Sequence, residues 1–385
     1  MNIREPVAAL SNWGLDPATV FLNNGSFGAP PLVISQLRTE LLQEIERNPV
    51  KALATDYPIG LERATLRLSN FVGAEAEGFA FVPNATFGIN AVLGSFPFTP
   101  GGEVVVFPHR YPAVGNAAHF FAERAGAKVV ETEAPERLTS SSQLVKAFEE
   151  AITPRTQLVI IDHIASLSGI LFPVQEIVAL CRSKQVPVLV DGAHAPGQVP
   201  VDIRSLQPDF YTGNFHKWLY APRPSGFLYV APGWRSRIRP PIVSNFHGKG
   251  FRETFAWCGT FDPTPLLCTE SALEFYEKLG GQELSRRNHE LAAYGGTLLL
   301  KALGTEGAYA PDSELFAAMF ACVLPDGMVP ADEIQNPGLL RARFLKKTGI
   351  EAHFSALGDR VWIRLCAQAF NTAADMEKLA ASLPL

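Results

Sequence analysis

Short apolar runs alternate with amphipathic segments between residues 30 and 230, and this alternation restricts the fold more than any other feature. The runs have the length of strands and lie at 79–82, 103–107, 128–131, 157–162 and 186–191. Segments with helical periodicity separate them, near 86–96, 113–125, 142–151 and 173–183. Because the runs are apolar throughout, both faces of each strand are expected to be buried. The pattern therefore predicts an α/β fold in which helices cover both faces of a mostly parallel sheet.

The remaining segments predict a smaller α+β domain. An earlier helix spans 30–46, two further strands are expected at 209–212 and 226–230, and an irregular Pro/Gly-rich stretch covers 232–265. The last third predicts helices at 264–279, 282–303, 331–347 and 373–383, with strands at 315–323 and 361–365. We therefore predict a large domain over 17–265 and a small domain formed by 1–16 and 266–385.

Composition excludes several classes of function. The chain has 385 residues, of which 47% are hydrophobic and 18% charged, compared with roughly 25% charged residues in an average soluble domain. A large buried core is therefore expected. The net charge of −5 and the absence of a basic block make nucleic acid an unexpected partner. The sequence shows no signal-peptide pattern and no apolar run near the ~20 residues of a membrane span, so we expect a soluble, cytoplasmic protein without a membrane partner.

The five cysteines are scattered and include no CxxC pair. This spacing favours reduced thiols over a disulfide framework, and it predicts no metal centre. Most of these thiols are expected to be core residues.

Two charged residues stand out in the middle of the chain. An apolar strand ends at Asp191, and Lys217 follows between His216 and Trp218 in a stretch with few other charges. Ligands of open α/β sheets bind at the carboxyl ends of the strands. Either residue alone would more often be structural, as a strand-terminal carboxylate or a lysine in a surface turn. Together with the motifs around them, they predict an active site.

The chain resembles the fold-type I, class V aminotransferase-like enzymes, which use pyridoxal 5′-phosphate (PLP), and among them the isopenicillin N epimerase-like branch. Eight collinear segments carry the resemblance across nearly the whole chain: FLNNGSFGAPP (21–31), FVPNATFGINAV (81–92), HRYPAV (109–114), DHIASLSGILFPV (162–174), DGAHAPGQ (191–198), NFHKWLYAPR (214–223), GTFDP (259–263) and IRLCAQAFNT (363–372). The resemblance implies the PLP-dependent transferase fold type I, a bound PLP and a homodimer.

The resemblance also assigns residues to the reacting part of the cofactor. Lys217 matches the lysine that bonds to the PLP aldehyde and later serves as a base. Asp191 matches the carboxylate beneath the pyridine nitrogen, where a negative charge keeps that nitrogen protonated. His194 matches the position that hydrogen-bonds the phenolate oxygen, and Ser166 is a weaker match to a hydroxyl on the cofactor side.

A phosphate site is predicted at Asn84, Ala85 and Thr86, which directly precede an apolar helical segment. Asn and Thr are common helix N-caps, and free N–H groups at a helix start bind phosphate. Most such caps are only caps, but the resemblance assigns this one to the PLP phosphate.

Three further residues match the phosphate side of the family site. Asn214 and His216 belong to the motif that precedes the lysine, although relatives commonly have Ser or Thr in place of Asn214. Thr260 of GTFDP matches a phosphate ligand that reaches in from the other subunit. The homodimer prediction depends on this last match.

Tyr111 occupies the position expected to stack on the cofactor ring, which many relatives fill with His, and His109 is the alternative. Arg364 matches the residue that holds a substrate carboxylate, since its planar guanidinium forms two parallel hydrogen bonds. Asn24 is a weaker candidate for substrate contact. The resemblance thus predicts an amino-acid or small-peptide substrate.

The reaction is narrowed but not settled by the sequence. Cysteine desulfurases of the superfamily need a nucleophilic cysteine on a mobile loop before the arginine strand, and 346–361 contains His353 but no cysteine. Cys366 is expected to be a packed core thiol. Epimerisation, C–S β-elimination and transamination remain as α-carbon reactions, with the first two favoured. A non-catalytic binding module is a further alternative, against which Lys217 and Asp191 argue.

Overall fold

The computed structural model of the chain describes residues 1–383, apart from the side chain of Ala331. Its strands, β1 to β12 in chain order, are Val20–Phe21, Phe79–Val82, Glu103–Val106, Lys128–Glu131, Thr156–Asp162, Val188–Gly192, Phe210–Asn214, Gly226–Val230, Met319–Val323, Ile350–Glu351, His353–Leu357 and Arg360–Cys366. Its α-helices, α1 to α16, are Asn24–Phe27, Leu32–Arg47, Pro49–Lys51, Tyr57–Phe71, Ala85–Ser95, Pro112–Arg124, Ser142–Ala151, Val174–Ser183, Ile203–Leu206, Phe251–Ala256, Thr264–Leu267, Thr269–Lys278, Gln282–Leu303, Ala331–Ile334, Pro337–Thr348 and Ala373–Ala381.

Within the described residues, seven strands form the large sheet in the order β2-β8-β7-β6-β5-β3-β4. The pairs from β7 across to β4 are parallel, and β8 is antiparallel to both of its neighbours. Alternate residues of β3 enter two separate cores: Val105 packs with α7 and α8, whereas Val104 and Val106 pack with α5 and α6. The predicted α/β fold, with helices on both faces of a mostly parallel sheet, is therefore confirmed.

A smaller antiparallel sheet in the order β11-β12-β9 follows near the carboxyl end. Its register places His353 opposite Arg364, and Arg364 opposite Ala321. Near the amino end, β1 pairs in parallel with β10, with Val20 opposite Ile350. The predicted division into 17–265 and 1–16 with 266–385 stays a prediction, and the structure adds that residues just inside the first range pair with the last third of the chain.

Several element boundaries differ from the prediction. The helix expected at 331–347 is two helices, because Pro337 follows Asn336 and a residue before proline avoids the helical conformation. The strand expected from 315 begins only at Met319. Helix α4 was not predicted, since the residues it buries include Ala64, Thr65 and Ser69 rather than an apolar stripe.

All five cysteines are free thiols, and four of them are buried. The part of the chain that the structure describes holds no group of three or more side chains able to bind a metal ion. None of its helices is both long enough and apolar enough to cross a membrane.

Candidate active site

The carboxyl ends of β5, β6 and β7 bring the predicted cofactor residues to one edge of the large sheet. Asp191 lies on β6 opposite Asp162 of β5 and opposite Thr212 of β7. Asn214 ends β7, and Lys217 lies in the turn that follows. Because parallel strands end at a common edge, residues far apart in sequence meet here, as expected for a ligand site of this fold.

Two buried carboxyl groups lie side by side at this edge. Asp191 is 4% exposed, and its Oδ1 accepts a hydrogen bond from the Ala193 N–H at 2.9 Å. Burial raises the pKa of Asp191, whereas the Ala193 N–H and the nearby Lys217 act in the opposite direction. Burial and the charge of Asp191 raise the pKa of Asp162 well above its usual range. Asp162 is therefore the more readily protonated member of the pair, which favours Asp191 as the anion.

The nitrogen of Lys217 contacts His194, and the other contact of this imidazole fixes which of its ring nitrogens carries the proton. Trp218 Nε1 lies 3.4 Å from His194 Nδ1, and an indole N–H can only donate. His194 Nδ1 is therefore an acceptor, so the ring proton is on Nε2. His194 Nε2 lies 3.0 Å from Lys217 Nζ. The Nε2–H can donate only if Lys217 offers a lone pair, that is, if Lys217 is a neutral amine.

Burial also favours the neutral form of Lys217, whereas the surrounding charges act on its pKa in both directions. Burial, the largest cause, lowers the pKa of Lys217 from 10.5 to about 8; Asp191 partly opposes this, and Arg364 adds to it. Burial and the charge of Lys217 hold the pKa of His194 well below its usual range, so this imidazole is neutral at pH 7. A neutral amine is the nucleophilic form of lysine.

The predicted phosphate residues lie at the start of α5. Asn84 caps the helix, since its Oδ1 accepts from the Phe87 N–H at 2.9 Å. Asn214 Oδ1 accepts from the Ala85 N–H at 2.8 Å, which ties the helix start to the end of β7. The N–H of Thr86, as the second helical residue, has no intrahelical acceptor by position. This N-terminus can therefore receive an anion.

Close packing fixes where α5 begins. A methyl group at Gly88 would lie 2.3 Å from Thr212 Oγ1 on β7. The absence of a side chain at Gly88 thus allows α5 to lie directly on the strand that ends at Asn214.

His216, on the turn after β7, holds Nδ1 2.8 Å from the Ser225 carbonyl oxygen. Burial lowers the pKa of His216 to about 4.

Arg364 lies on β12 and is 1% exposed. Its Nη1 donates to the carbonyl oxygen of Ser166, and its Nη2 lies 3.4 Å from Asn23 Oδ1. Ser166 thus contacts Arg364 through its backbone, and the predicted contact of its hydroxyl with the cofactor stays a prediction. The guanidinium is therefore anchored on the side that faces the large sheet.

The short helix α1 completes this side of the site. Asn24 Nδ2 donates to the Lys217 carbonyl oxygen at 2.9 Å. A methyl group at the next residue, Gly25, would lie 2.8 Å from Met319 Sδ and 3.2 Å from Arg364 Nη2. The start of α1 can therefore lie this close to Arg364 only with glycine at this position.

Three buried polar atoms around Lys217 lack a hydrogen-bond partner in the described structure. They are Asn24 Oδ1, Arg364 Nε and His353 Nε2. Leaving such a group unpaired costs about 1–3 kcal/mol, and native proteins rarely do so without a reason. Together with Lys217, whose pKa is lowered to about 8, the buried carboxyl group of Asp191 and the free start of α5, these atoms fit a site for PLP and a polar substrate.

Two predicted site residues, Tyr111 and Thr260, lie on the surface of the chain, apart from the residues around Lys217. Tyr111 is 43% exposed at the start of α6. Thr260 lines a groove of about 800 Å³ along α4, and no other predicted site residue lines that groove. His109, the alternative to Tyr111, is packed edge-on against Phe107 and Trp362. The ring-stacking residue and the role of Thr260 stay predictions.

Sequence reasoning missed Asp162, Asn23 and the place of His353. Asp162 ends an apolar strand as Asp191 does, so the same signal could have found it. His353 reaches the site only because β11 pairs with β12 in a register that puts it opposite Arg364. Burial, followed by the charges of Arg364 and Lys217, lowers the pKa of His353 to about 2. No local pattern marks such a pairing.

Comparisons with known proteins agree with this geometry. The family model "Aminotransferase class-V" matches residues 4–336. Isopenicillin N epimerase from Amycolatopsis lactamdurans is 31% identical over 99% of this chain and 97% of its own. L-cysteine desulfhydrase from Arabidopsis thaliana is 30% identical over 93% and 86%. A C-DES mutant with glycine covalently linked to its PLP cofactor has a similar fold, with a TM-score of 0.80 and 20% identity over 95% of this chain and 96% of that chain.

Proposed function

Because this chain belongs to the class V aminotransferase family and is a PLP-dependent enzyme of fold type I, we propose that it removes the α-proton of an amino acid and releases a sulfur group from the neighbouring carbon. The substrate class is a cysteine derivative, and the reaction is C–S β-elimination. The contact between Lys217 Nζ and His194 Nε2 at 3.0 Å carries this proposal, because it favours the free amine of the lysine, which both cofactor attachment and proton removal require.

PLP, when bound, supplies an aldehyde that bonds to amines and a ring that takes up the electron pair released at the α-carbon. Asp191 provides the buried negative charge that would face the protonated ring nitrogen. The start of α5, with the Thr86 N–H, would hold the phosphate. Lys217 would bond to the aldehyde in the resting enzyme and, once displaced by a substrate amine, take up the α-proton. His194 carries its proton on Nε2, where it favours the neutral form of Lys217.

Arg364 is the proposed ligand of the substrate carboxylate. Its Nε and Asn24 Oδ1 are both buried without a hydrogen-bond partner, so the site offers one free donor and one free acceptor to a bound amino acid. Charge-assisted hydrogen bonds from a fixed guanidinium are among the strongest that a protein forms. A carboxylate bound here would lie near Lys217, whose pKa the charge of Arg364 already lowers.

Elimination is favoured over epimerisation by the number of proton-transfer groups that it needs. One base is sufficient for it, and Lys217 supplies that base. Epimerisation also needs a proton donor on the other side of the α-carbon; it is the second candidate, because the Amycolatopsis epimerase matches nearly the full length of both chains. A persulfide-forming desulfurase reaction is not supported, since Cys366 is fully buried in β12.

The test is incubation of the PLP-loaded protein with L-cysteine, S-substituted L-cysteines and a panel of other L-amino acids. Pyruvate, thiol, keto acid and D-isomer are measured together, and loss of the α-proton is followed by NMR in D2O. We expect pyruvate and thiol in equal amounts from at least one cysteine derivative. D-isomer alone would support epimerisation, keto acid with aminated cofactor would support transamination, and no α-proton exchange with any amino acid would reject the proposal.

We further propose that the active enzyme is a homodimer in which a second copy covers the groove beside Thr260. Its lining is rich in apolar side chains, among them Val50, Leu53 and Trp257. Val50 is 76% exposed, and Ile59 nearby is 64% exposed. Contiguous exposed apolar surface of this kind is typical of protein–protein interfaces. Thr260 would then serve the PLP phosphate of the partner subunit.

A further inference from the structure

A cavity of about 170 Å³ lies between the end of β3 and the β11–β12 hairpin. Phe107, His109 and Ile170 line it from the large sheet, and Leu357 and Trp362 line it from the hairpin. The rings of His109 and Trp362 meet edge to face, with centroids 5.5 Å apart. Apart from His109, the alternative to Tyr111 for the ring-stacking position, the residues that line the cavity have no role in the chemistry described above.

The cavity and the proposed active site are built from the same segments of chain. Trp362 and Arg364 are two residues apart on β12, so their side chains point to the same face, about 7 Å apart along the strand. Ile170 follows Ser166, whose carbonyl accepts from Arg364, in the loop after β5. The cavity therefore begins at Trp362, one side-chain spacing along β12 from Arg364, the proposed carboxylate ligand.

The interior of the cavity is uncharged. Burial lowers the pKa of His109 to about 4, so its imidazole is neutral at pH 7. His109 Nδ1 is buried without a hydrogen-bond partner. The charged groups, Arg360 and Glu136, are largely exposed and lie 3.8 Å from each other. A group held in this cavity is thus expected to be apolar or aromatic, with at most one polar atom for His109.

We propose that this cavity is the subsite for the substrate side chain, and that it selects amino acids whose side chain ends in an uncharged aromatic ring. The inference rests on the proposed function, since it takes Arg364 as the carboxylate ligand. An engineered cavity of about 150 Å³ in another protein binds benzene, so the volume here is sufficient for one ring. Free cysteine, with one methylene and a sulfur, is too short to reach from Arg364 to Trp362. An S-arylmethyl cysteine has the required length.

The experiment measures the change in the absorbance of bound PLP when the loaded enzyme is titrated with L-alanine, L-phenylalanine or S-benzyl-L-cysteine. This readout reports binding whatever reaction follows. We expect S-benzyl-L-cysteine to bind about 10- to 100-fold more tightly than L-alanine, because burying an aromatic side chain contributes a gain of that order. L-phenylalanine, whose ring is closer to its carboxylate, should lie between them.

Two variants and a matched control locate the effect. Ala134→Phe and, independently, Ala308→Met add bulk to the cavity wall and should remove the advantage of S-benzyl-L-cysteine while leaving L-alanine binding unchanged. Asp359→Phe adds an aromatic ring to the exposed turn of the same hairpin, outside the cavity, and should keep the advantage. Retained L-alanine binding also shows that each variant is folded.

The outcomes separate this inference from the proposed function. If L-alanine changes the absorbance but S-benzyl-L-cysteine binds no more tightly, or if its advantage survives both filled cavities, the subsite is overturned and the proposed chemistry stands. If no amino acid changes the absorbance of a PLP-loaded protein, the proposed function itself fails. If the advantage is lost in both wall variants alone, the subsite is established.

Discussion

At the scale of single residues, the protonation of Lys217 determines whether the site can work. The pKa of Lys217 falls to about 8 because the side chain is buried and Arg364 is near, and Trp218 fixes the tautomer of His194 that favours the neutral amine. An ammonium group cannot attack the PLP aldehyde. The rate of PLP capture by the protein therefore depends on pH, and the pKa of Lys217 sets the direction of that dependence.

We expect the rate of PLP capture by the apoprotein to rise with pH, with a midpoint near 8, because the neutral fraction of Lys217 rises through its pKa of about 8. Borohydride reduction at a series of pH values, followed by peptide mapping, measures the pyridoxyl group on Lys217. Trp218→Phe should move the midpoint upwards, since His194 Nδ1 can then be protonated and Nε2 can accept from the ammonium form. A wild-type midpoint at the ordinary lysine value of 10.5, or modification of a different lysine, would contradict the assignment.

Asp191→Asn should keep PLP bound and lower turnover by about 10²- to 10³-fold, the usual range for loss of one preorganised electrostatic contact. The amide lacks the negative charge that would keep the ring nitrogen protonated, whereas Lys217 and the start of α5 still hold the cofactor. Asp162→Asn is the matched control: burial and the charge of Asp191 raise the pKa of that carboxyl well above its usual range, so a neutral amide should replace it with a much smaller effect. Cofactor absorbance and steady-state rates measure both, and equal losses in the two variants would remove Asp191 from its proposed role.

Arg364→Leu should raise the KM for amino acids far more than it lowers kcat, since loss of a buried charged contact costs roughly 2–5 kcal/mol. Arg364→Lys keeps the charge but lacks the fork, so it should recover part of the loss. Thermal unfolding and PLP absorbance serve as controls, because Arg364 also donates to the Ser166 carbonyl. An unchanged KM in both variants would make Arg364 a structural residue.

Site residues could be predicted from the sequence where a local motif contains the residue and also explains its role. Asp191 ends an apolar strand and Asn84 caps a helix, and the structure brings both to the sheet edge beside Lys217. His353 could not be predicted in this way, because its neighbour Arg364 is defined by strand register. The ring-stacking position is the opposite case: the sequence offers Tyr111 and His109, and contacts within one chain do not choose between them.

At the scale of elements, the start of α5 depends on how closely the helix lies on β7. Gly88→Ala should destabilise the protein by about 1–3 kcal/mol, because the new methyl group would lie 2.3 Å from Thr212 Oγ1. Thr212 cannot yield easily, since its hydroxyl donates to the Phe227 carbonyl oxygen at 2.7 Å. The shift should also weaken PLP retention, because the helix N-terminus moves with it. Denaturant unfolding and equilibrium dialysis measure the two effects.

Gly94→Ala is the control for this prediction. It makes the same change in the same helix, but its methyl group would meet only the ring of Phe121, at 3.3 Å. A more helix-favouring residue there should leave stability nearly unchanged. If both variants kept wild-type stability and PLP affinity, the contact between α5 and β7 would not set the phosphate site.

Element prediction succeeded or failed for local reasons. Strands buried on both faces, such as β5 and β6, have continuous apolar runs and were predicted within two residues at either end. Helix α4 escaped because small and polar residues face its core. β11 escaped because its residues alternate between a face that lines the site and a face that packs in the core, so no apolar run marks it.

At the scale of the whole molecule, the amino-terminal segment ties the two sheets together. The Cys366 N–H on β12 donates to the Leu22 carbonyl oxygen at 2.8 Å, and Asn24, the first residue of α1, contacts the Lys217 backbone. The segment thus connects the cofactor lysine with the sheet that carries Arg364. Such a connection cannot be predicted from periodicity, because β1 has only two residues.

The homodimer can be tested with mixed subunits, because the groove of Thr260 and the site of Lys217 are separate within one chain. If Thr260 serves the partner's phosphate, Lys217→Ala and Thr260→Glu damage different sites of a mixed dimer: one site receives both changes and the other receives neither. Each variant alone should be nearly inactive, whereas refolding them together should restore part of the activity. Light scattering should give the mass of a dimer for all samples. Mixing Lys217→Ala with Asp191→Asn is the control, since both residues belong to the same chain's site and every site would remain damaged. No recovery in the first mixture, or a fully active monomer, would show that Thr260 acts within its own chain or not at all.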